Sequence, residues 1–362
     1  MKILVMKFRN IGDVLLTTPL LKNLQYHYPE ATIDFALNKG TEEMLTGHPS
    51  VRKIHIYDRK IKKLPFFKRL KAEYDFANSI RKEKYDIVIN TTEGDRGLQI
   101  AIFSGAKKII SIPAEKNMVL NRFITDELLL VSMRHNIDDN LDVLRVLDKQ
   151  TVERKVEIFW DMEINKNVQN LMAEYGLKKG AFIHLHPVSR WLFKCADDKT
   201  VAKIIDFCQE EMQFPVVITA APIKEEREKV KRIISYCRTK PLDFTGKLTL
   251  KETAALNKQS RLYIGVDTAI MHISAANDVP TLAFFGPSAS YKWGPWDNSV
   301  MQNAYTRTNG NQCMGKHRVL QKNWECVPCI SAGCDNCGIS DCLMEMDMDE
   351  IKMNITQMLE EE

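Results

Sequence analysis

Short runs of Val, Ile, Leu and Phe alternate along the chain with longer stretches whose apolar positions recur every three or four residues, a pattern that predicts strands alternating with helices. Lys2 to Phe8 predicts the first strand. The periodic segment Val14 to Tyr28 predicts a helix, with Pro19 inside it and Thr17 or Thr18 placed to cap a fresh start. Thr32 to Leu37, Lys53 to Tyr57 and Asp86 to Asn90 read as further strands, with helices at Thr41 to Leu45 and Phe67 to Lys82. Leu98 to Phe103, Lys108 to Ile112 and Ile137 to Leu147 extend the alternation. From Thr151 to Gly180 the pattern gives way to polar, mixed sequence, which places a linker at 161–180. It resumes with strands at Ala181 to His186, Pro215 to Ala220, Leu242 to Phe244, Leu262 to Val266 and Thr281 to Phe285, separated by helical segments. A final amphipathic helix spans Ile351 to Leu359. Such alternation implies an α/β protein of doubly wound, mostly parallel sheets, with one domain over 1–160, a second over 181–345 and a C-terminal helix within 346–362.

Composition narrows the class. A chain of 362 residues with 44% apolar and 27% charged content can build two substantial cores. A net charge of +4 does not by itself indicate nucleic acid binding. No run approaches the ~18 apolar residues of a membrane-spanning helix. The opening strand is broken by charge after four apolar residues, unlike a secretory signal, and nine cysteines then point to a reducing cytoplasm rather than to disulfides.

Candidate chemistry gathers where strands run into helices. Asp267 and Thr268 follow a strand, and the helix from Ala269 to Asn277 offers free backbone N–H groups to an anion, with His272 one turn after Thr268 on the same side. Ser189, Arg190 and Lys194 stand at another strand-to-helix rim, with donors and positive charge suited to a diphosphate. Gly12-Asp13 is expected in the turn after the first strand, where the carboxylate is either a helix cap or a general base. Between Arg52 and Lys71 nine basic residues face a single acid, Asp58, which reads as a solvated face or as a surface for an anionic substrate or lipid. Cys326, Cys329, Cys334 and Cys337 are spaced for a thiolate cluster, although the inner loop is shorter than in common zinc ribbons, and reduced structural thiols are the expected state. Asp347, before the last helix, reads as its cap rather than as a metal ligand.

Lys-Phe-Arg-Asn-Ile-Gly-Asp-Val-Leu-Leu-Thr-Thr-Pro at 7–19, His-Pro-Val-Ser-Arg-Trp at 186–191, Gly-Val-Asp-Thr-Ala-Ile-Met-His at 265–272 and Phe-Phe-Gly-Pro-Ser at 284–288 resemble glycosyltransferase family 9, the ADP-heptose:lipopolysaccharide heptosyltransferases. Lys39-Gly-Thr-Glu42, Ser189 to Cys195 and Lys292 to Trp296 look most like its heptosyltransferase III branch. The resemblance implies a GT-B fold of two Rossmann-like domains facing across a crevice, the first binding the acceptor, the second the nucleotide sugar, and the last helix packing back across the hinge. It implies an inverting transfer of heptose from ADP-heptose to the lipopolysaccharide core, with no cofactor and no metal. By position, Asp13 matches the base and Lys194 the group that stabilises departing ADP. Asp267, Thr268, Ala269 and His272 match the donor motif, Ser189 and Arg190 its neighbours, and Leu248 a backbone contact to adenine. Gly12, Arg59, Lys60, Lys62 and Lys63 match the acceptor region. The ribose contact is unassigned, because Ala220-Ala221-Pro222 departs from the family's more polar loop. The implied partners are ADP-heptose, a lipopolysaccharide core precursor and the anionic inner face of the cytoplasmic membrane. Open beside this are a transferase for another nucleotide sugar or acceptor and a non-catalytic nucleotide-sugar-binding protein with a Cys-bound metal.

Overall fold

The computed structural model describes residues 1–129 and 131–361. Its residues form two units, one of Met1–Ser132 and Asn136–Phe159, the other of Met133–His135 and the chain from Trp160 onward.

The first unit runs β1 (Lys2–Lys7), α1 (Ile11–Leu15), α2 (Thr18–His27), β2 (Thr32–Asn38), β3 (Lys53–Tyr57), α3 (Phe66–Arg81), β4 (Ile87–Asn90), α4 (Asp95–Ser104), β5 (Lys108–Ser111), β6 (Asp126–Glu127) and α5 (Asn136–Val146). Its six strands are parallel in the order β3-β2-β1-β4-β5-β6. β1 and β4 sit centrally with helices on the sheet's faces, and for that reason both read as continuous apolar runs with no polar alternation. The predicted helix Val14 to Tyr28 is two helices. α1 ends at Leu15 with Leu16 as its C-cap, and α2 starts after Thr17, where Pro19 falls in the first turn and needs no N–H partner.

The second unit runs α6 (Met162–Glu174), β7 (Ile183–His186), α7 (Asp198–Glu210), β8 (Val216–Ile218), α8 (Lys224–Tyr236), β9 (Leu242–Asp243), α9 (Leu250–Asn257), β10 (Leu262–Val266), α10 (Ala269–Ala276), β11 (Thr281–Phe285), α11 (Ser290–Trp293), β12 (Gln312–Met314), β13 (His317–Gln321), α12 (Asp341–Met344) and α13 (Met348–Glu360). The sheet order is β12-β13-β11-β10-β7-β8-β9, parallel except for the β12–β13 hairpin. Counted from β7, the parallel strands follow the same winding as in the first unit. Each sheet therefore reverses direction beside its first strand, between β1 and β4 and between β7 and β10, and ligands of doubly wound sheets bind outside the carboxyl ends at such a switch point.

Two expectations change. The stretch 161–180, expected as linker, holds α6, capped by Asp161, whose Oδ1 accepts from the Ile164 N–H at 2.9 Å. Its Val168 and Met172 are buried against Phe182, Phe244 and Leu256, so a polar segment with one narrow apolar stripe is a packed helix. The last helix, expected to return to the first domain, is counted within the second unit. Ile351, Ile355 and Met358 enter that unit's core with residues of α7, and Arg261 donates to the Leu359 carbonyl at 2.8 Å. Asp347 caps it, accepting from the Asp349 N–H at 2.9 Å.

Candidate active site

In the second unit the switch point assembles the donor-motif residues from two distant stretches of chain. β7 ends at His186, and the following loop turns through a short 3₁₀ segment, Leu192–Lys194. β10, hydrogen-bonded beside β7, ends at Val266 and delivers Asp267 and Thr268 to the N-terminus of α10. Lys194 Nζ donates to Asp267 Oδ2 at 2.5 Å, with 9% of the Asp267 side chain exposed. Burial pushes the Asp267 carboxyl up, but the Lys194 ammonium, the Ser288 hydroxyl and His272 bring it below the ordinary carboxylate value. His272 is buried and its pKa falls to about 4, chiefly through desolvation, so the ring is neutral at pH 7. Its Nδ1 is buried and has no hydrogen-bond partner, and the Thr268 hydroxyl lies buried against Tyr263. An unpartnered ring nitrogen and a helix N-terminus beside an ammonium form a group suited to an oxyanion ligand.

Close packing holds this corner in place. A Cβ on Gly265 would lie 2.7 Å from the His186 carbonyl, so the strand end admits no side chain. Below it His184 and His186 both hydrogen-bond Thr219, at 2.8 and 2.9 Å, and His184 also meets Asn257 of α9. Burial holds both rings neutral, with pKa values of about 3 and about 4. The loop carrying Ser288 is pinned from β13, where Gln321 donates to the carbonyls of Gly286 and Ser288 at 2.9 and 2.8 Å.

The remaining donor candidates are distributed around the rim. Ser189 is buried and its Oγ accepts from the Trp191 N–H, while exposed Arg190 lies over the Trp191 ring at 4.7 Å. Ala269 opens α10. Leu248 follows β9 and packs on the cluster of Phe182, Phe244 and Leu256. Sequence reasoning missed Glu226, Gln321 and His135. Glu226 of α8 is buried and accepts from the Ala221 N–H at 2.8 Å, and burial raises its pKa. His135 belongs to the second unit, bonds Gly294 O through Nε2 at 3.0 Å, packs on Trp296 and depresses the His272 pKa. No local motif marks these three; only their placement by the fold does.

In the first unit Asp13 lies inside the first turn of α1, not in a turn before it. The chain enters the helix at Asn10, and the Asn10 N–H donates to Asp13 Oδ2 at 3.1 Å. Asp13 is buried. Lys7, at the end of β1, is also buried; desolvation brings its pKa down to about 8 while Asp13 opposes the shift. Its ammonium donates to Thr91 O at 2.9 Å and Asn140 Oδ1 at 3.0 Å, placing it at the carboxyl ends of β1 and β4. Gly12 is buried in the same turn. Arg59, Lys60, Lys62 and Lys63 occupy an exposed 3₁₀ segment after β3. Arg59 donates to Arg9 O at 2.9 Å, and Lys62 is lowered chiefly by Arg96, which lies over Tyr57 at 4.7 Å. Arg96 thus joins a group of cations that the charge run alone did not include.

All nine cysteines are free thiols, and among the described residues no three His, Cys, Asp or Glu side chains are grouped to hold a metal. Cys334 Sγ accepts from the Asp341 N–H at 3.4 Å.

Comparison with known proteins places this geometry in a family. The chain is 28% identical over 293 residues to lipopolysaccharide heptosyltransferase 3 of Escherichia coli K12, covering 80% of this chain and 84% of that protein. Its fold superposes on a glycosyl transferase family 9 structure from Veillonella parvula with a TM-score of 0.81 at 21% identity, covering 100% and 97% of the two chains. It matches the E. coli heptosyltransferase WaaC with ADP at a TM-score of 0.73 and 14% identity, over 99% and 100%. These likenesses establish the GT-B fold of two Rossmann-like domains. The profile of glycosyltransferase family 9 (heptosyltransferase) matches residues 74–323, and the chain belongs to that family.

Proposed function

We propose that the protein transfers heptose from ADP-heptose to the lipopolysaccharide inner core, with inversion and without a metal, at the inner face of the cytoplasmic membrane. The observation that carries this reading is the Lys194–Asp267 pair beside the N-terminus of α10, with His272 Nδ1 unpartnered next to it. The amides of Thr268 and Ala269, with Lys194, take the diphosphate; Asp267 and His272 orient the donor; Ser189 and Arg190 add contacts from the β7 loop, and the Leu248 backbone meets adenine. The ADP bound by WaaC supports the nucleotide, and the relatives named for lipopolysaccharide support the acceptor.

In the transfer, the Asp13 carboxylate takes the proton of an acceptor hydroxyl as that oxygen attacks the anomeric carbon. The bond to the diphosphate breaks with its electron pair leaving on ADP. A single displacement inverts the anomeric configuration. The charge that develops on ADP is met by the Lys194 ammonium and the partial positive charge of α10's N-terminus, which together supply the stabilisation without a divalent ion. Gly12, Arg59, Lys60, Lys62 and Lys63 bind the phosphates and carboxylates of the acceptor.

Calorimetric titration of the full chain with ADP-heptose, ADP, UDP-glucose and GDP-mannose, with EDTA present throughout, tests the donor. Selective binding of ADP-heptose and ADP is expected. Preference for another nucleotide sugar, or dependence on added metal, refutes the reading.

A further inference from the structure

The first unit carries a surface that, apart from Lys62 and Lys63, the proposed transfer chemistry does not use. Residues 62–71, Lys-Lys-Leu-Pro-Phe-Phe-Lys-Arg-Leu-Lys, are exposed throughout. Phe66 and Phe67, which open α3 behind Pro65, keep 72% and 81% of their surface in water, and Leu70 keeps 59%. At ~100° per residue, Phe66, Leu70, Tyr74 and Phe67 lie within an arc of about 100° on the helix. That arc is separate from the side of α3 that carries Phe76 and Ile80 into the core. The stripe is fixed to the fold at its C-terminal end, where Tyr74 meets the Phe103 ring edge-on at 5.8 Å, and the Phe66 and Phe67 rings contact each other at 5.4 Å.

The charge around the stripe has one sign. Lys62, Lys63, Lys68, Arg69 and Lys71 flank it, and 62–71 contains no Asp or Glu. Glu73, the first acid beyond, accepts from the Tyr57 hydroxyl at 2.7 Å. A soluble anionic saccharide would engage the cations and leave the phenyl rings in water. An anionic bilayer satisfies both, taking the rings into the boundary between headgroups and acyl chains while its phosphates meet the lysines.

We propose that residues 64–71 are an interfacial anchor that lays Phe66, Phe67 and Leu70 into the surface of an anionic bilayer, with Lys68, Arg69 and Lys71 on the lipid phosphates. This deepens the membrane placement proposed above and does not depend on the identity of the donor.

The test is co-sedimentation of the full chain with vesicles of phosphatidylcholine alone and of phosphatidylcholine mixed with phosphatidylglycerol, without donor or acceptor. The wild-type chain is expected to partition onto the mixed vesicles far more than onto the neutral ones. The Phe66→Ser/Phe67→Ser variant is expected to lose on the order of a hundredfold in partitioning, with its melting temperature and ADP-heptose binding unchanged. Raising salt to about 0.5 M weakens wild-type binding without removing the difference between the two proteins. Wild-type indifference to the mixed vesicles overturns the proposal. So does a loss confined to Lys68→Gln/Lys71→Gln while the double serine variant binds as wild type, because that outcome is headgroup capture without insertion. If vesicle binding behaves as expected and ADP-heptose fails to bind, the donor assignment falls and the anchor stands.

Discussion

Replacing Lys194 by alanine removes the ammonium 2.5 Å from Asp267 Oδ2 and leaves that carboxylate, with 9% of its side chain exposed, beside a neutral methyl group. Losing one partner of a buried pair costs about 3–5 kcal/mol. Lys194 itself keeps 23% of its side chain exposed and the Ser288 hydroxyl still donates to Asp267, so the expected loss is smaller. A figure of about 2 kcal/mol corresponds to a fall of about 4–8 °C in the melting temperature of a unit of this size. Turnover should fall further, by on the order of 10²–10³ in kcat, because a fixed donor facing the departing diphosphate is gone. The pH dependence gives a separate signature. In the wild type Asp267 titrates below its ordinary value, so its stabilisation is present at neutral pH and lost only as pH falls through that lowered folded value. Without Lys194, desolvation dominates and the folded carboxyl titrates above the unfolded one. The deficit of the variant is then largest at neutral pH and closes as acid protonates Asp267. Thermal melts of both proteins between about pH 7 and pH 4, with initial rates at saturating donor, read both effects, and Lys194→Arg serves as the charge-retaining control. A Lys194→Ala variant that melts with the wild type at neutral pH and keeps its kcat refutes the reasoning.

Asp13→Asn keeps the shape of the α1 turn but cannot accept a proton; kcat should fall by about 10²–10⁴ with ADP-heptose affinity unchanged, and retained turnover would assign the base elsewhere. Gly265→Ala puts a Cβ 2.7 Å from the His186 carbonyl and 2.3 Å from the Tyr263 hydroxyl, so unfolding in urea should show a loss of about 1–3 kcal/mol, and an unshifted midpoint would mean that β10 moves aside freely. His184, His186 and His272 are buried with pKa values of about 3, 4 and 4, below the ordinary 6.5, so the unfolded chain takes up protons first as acid is added. Stability should decline as pH falls from 6.5 toward 4, and His272→Gln should flatten that decline; parallel curves for variant and wild type would remove His272 from the account.

Most strands of both sheets were legible from apolar runs, because a strand covered on both faces has no polar positions to hide it. β6, β12 and β13 were not: His317, Arg318 and Gln321 interrupt the apolar residues of β13, yet it pairs with β11 through four registered positions. α6 was passed over because its core contact is a narrow stripe on a polar helix, although Asp161 before Met162 was a usable cap signal. The Cys326 to Cys337 spacing resembled a ligand set, but spacing along a chain does not fix where thiols meet; in the fold Cys342, outside that spacing, comes within electrostatic reach of Cys326, Cys329 and Cys334.

Local chemistry is written in the sequence. Asp267-Thr268 before a helix, Asp13 after the first strand and the cations of 59–63 each announce a kind of site, because caps, helix termini and charge act within a few residues. Which of these groups touch is decided by the winding of the sheet. Lys194 and Asp267 stand 73 residues apart and meet only because β10 lies beside β7 at the switch point. Lys7 meets Asn140, Gln321 holds the Ser288 loop and His135 comes within electrostatic reach of His272 for the same reason. Desolvation and close pairing depend on distances in three dimensions, so the sequence names the reactive groups and the tertiary structure assigns their partners and protonation states.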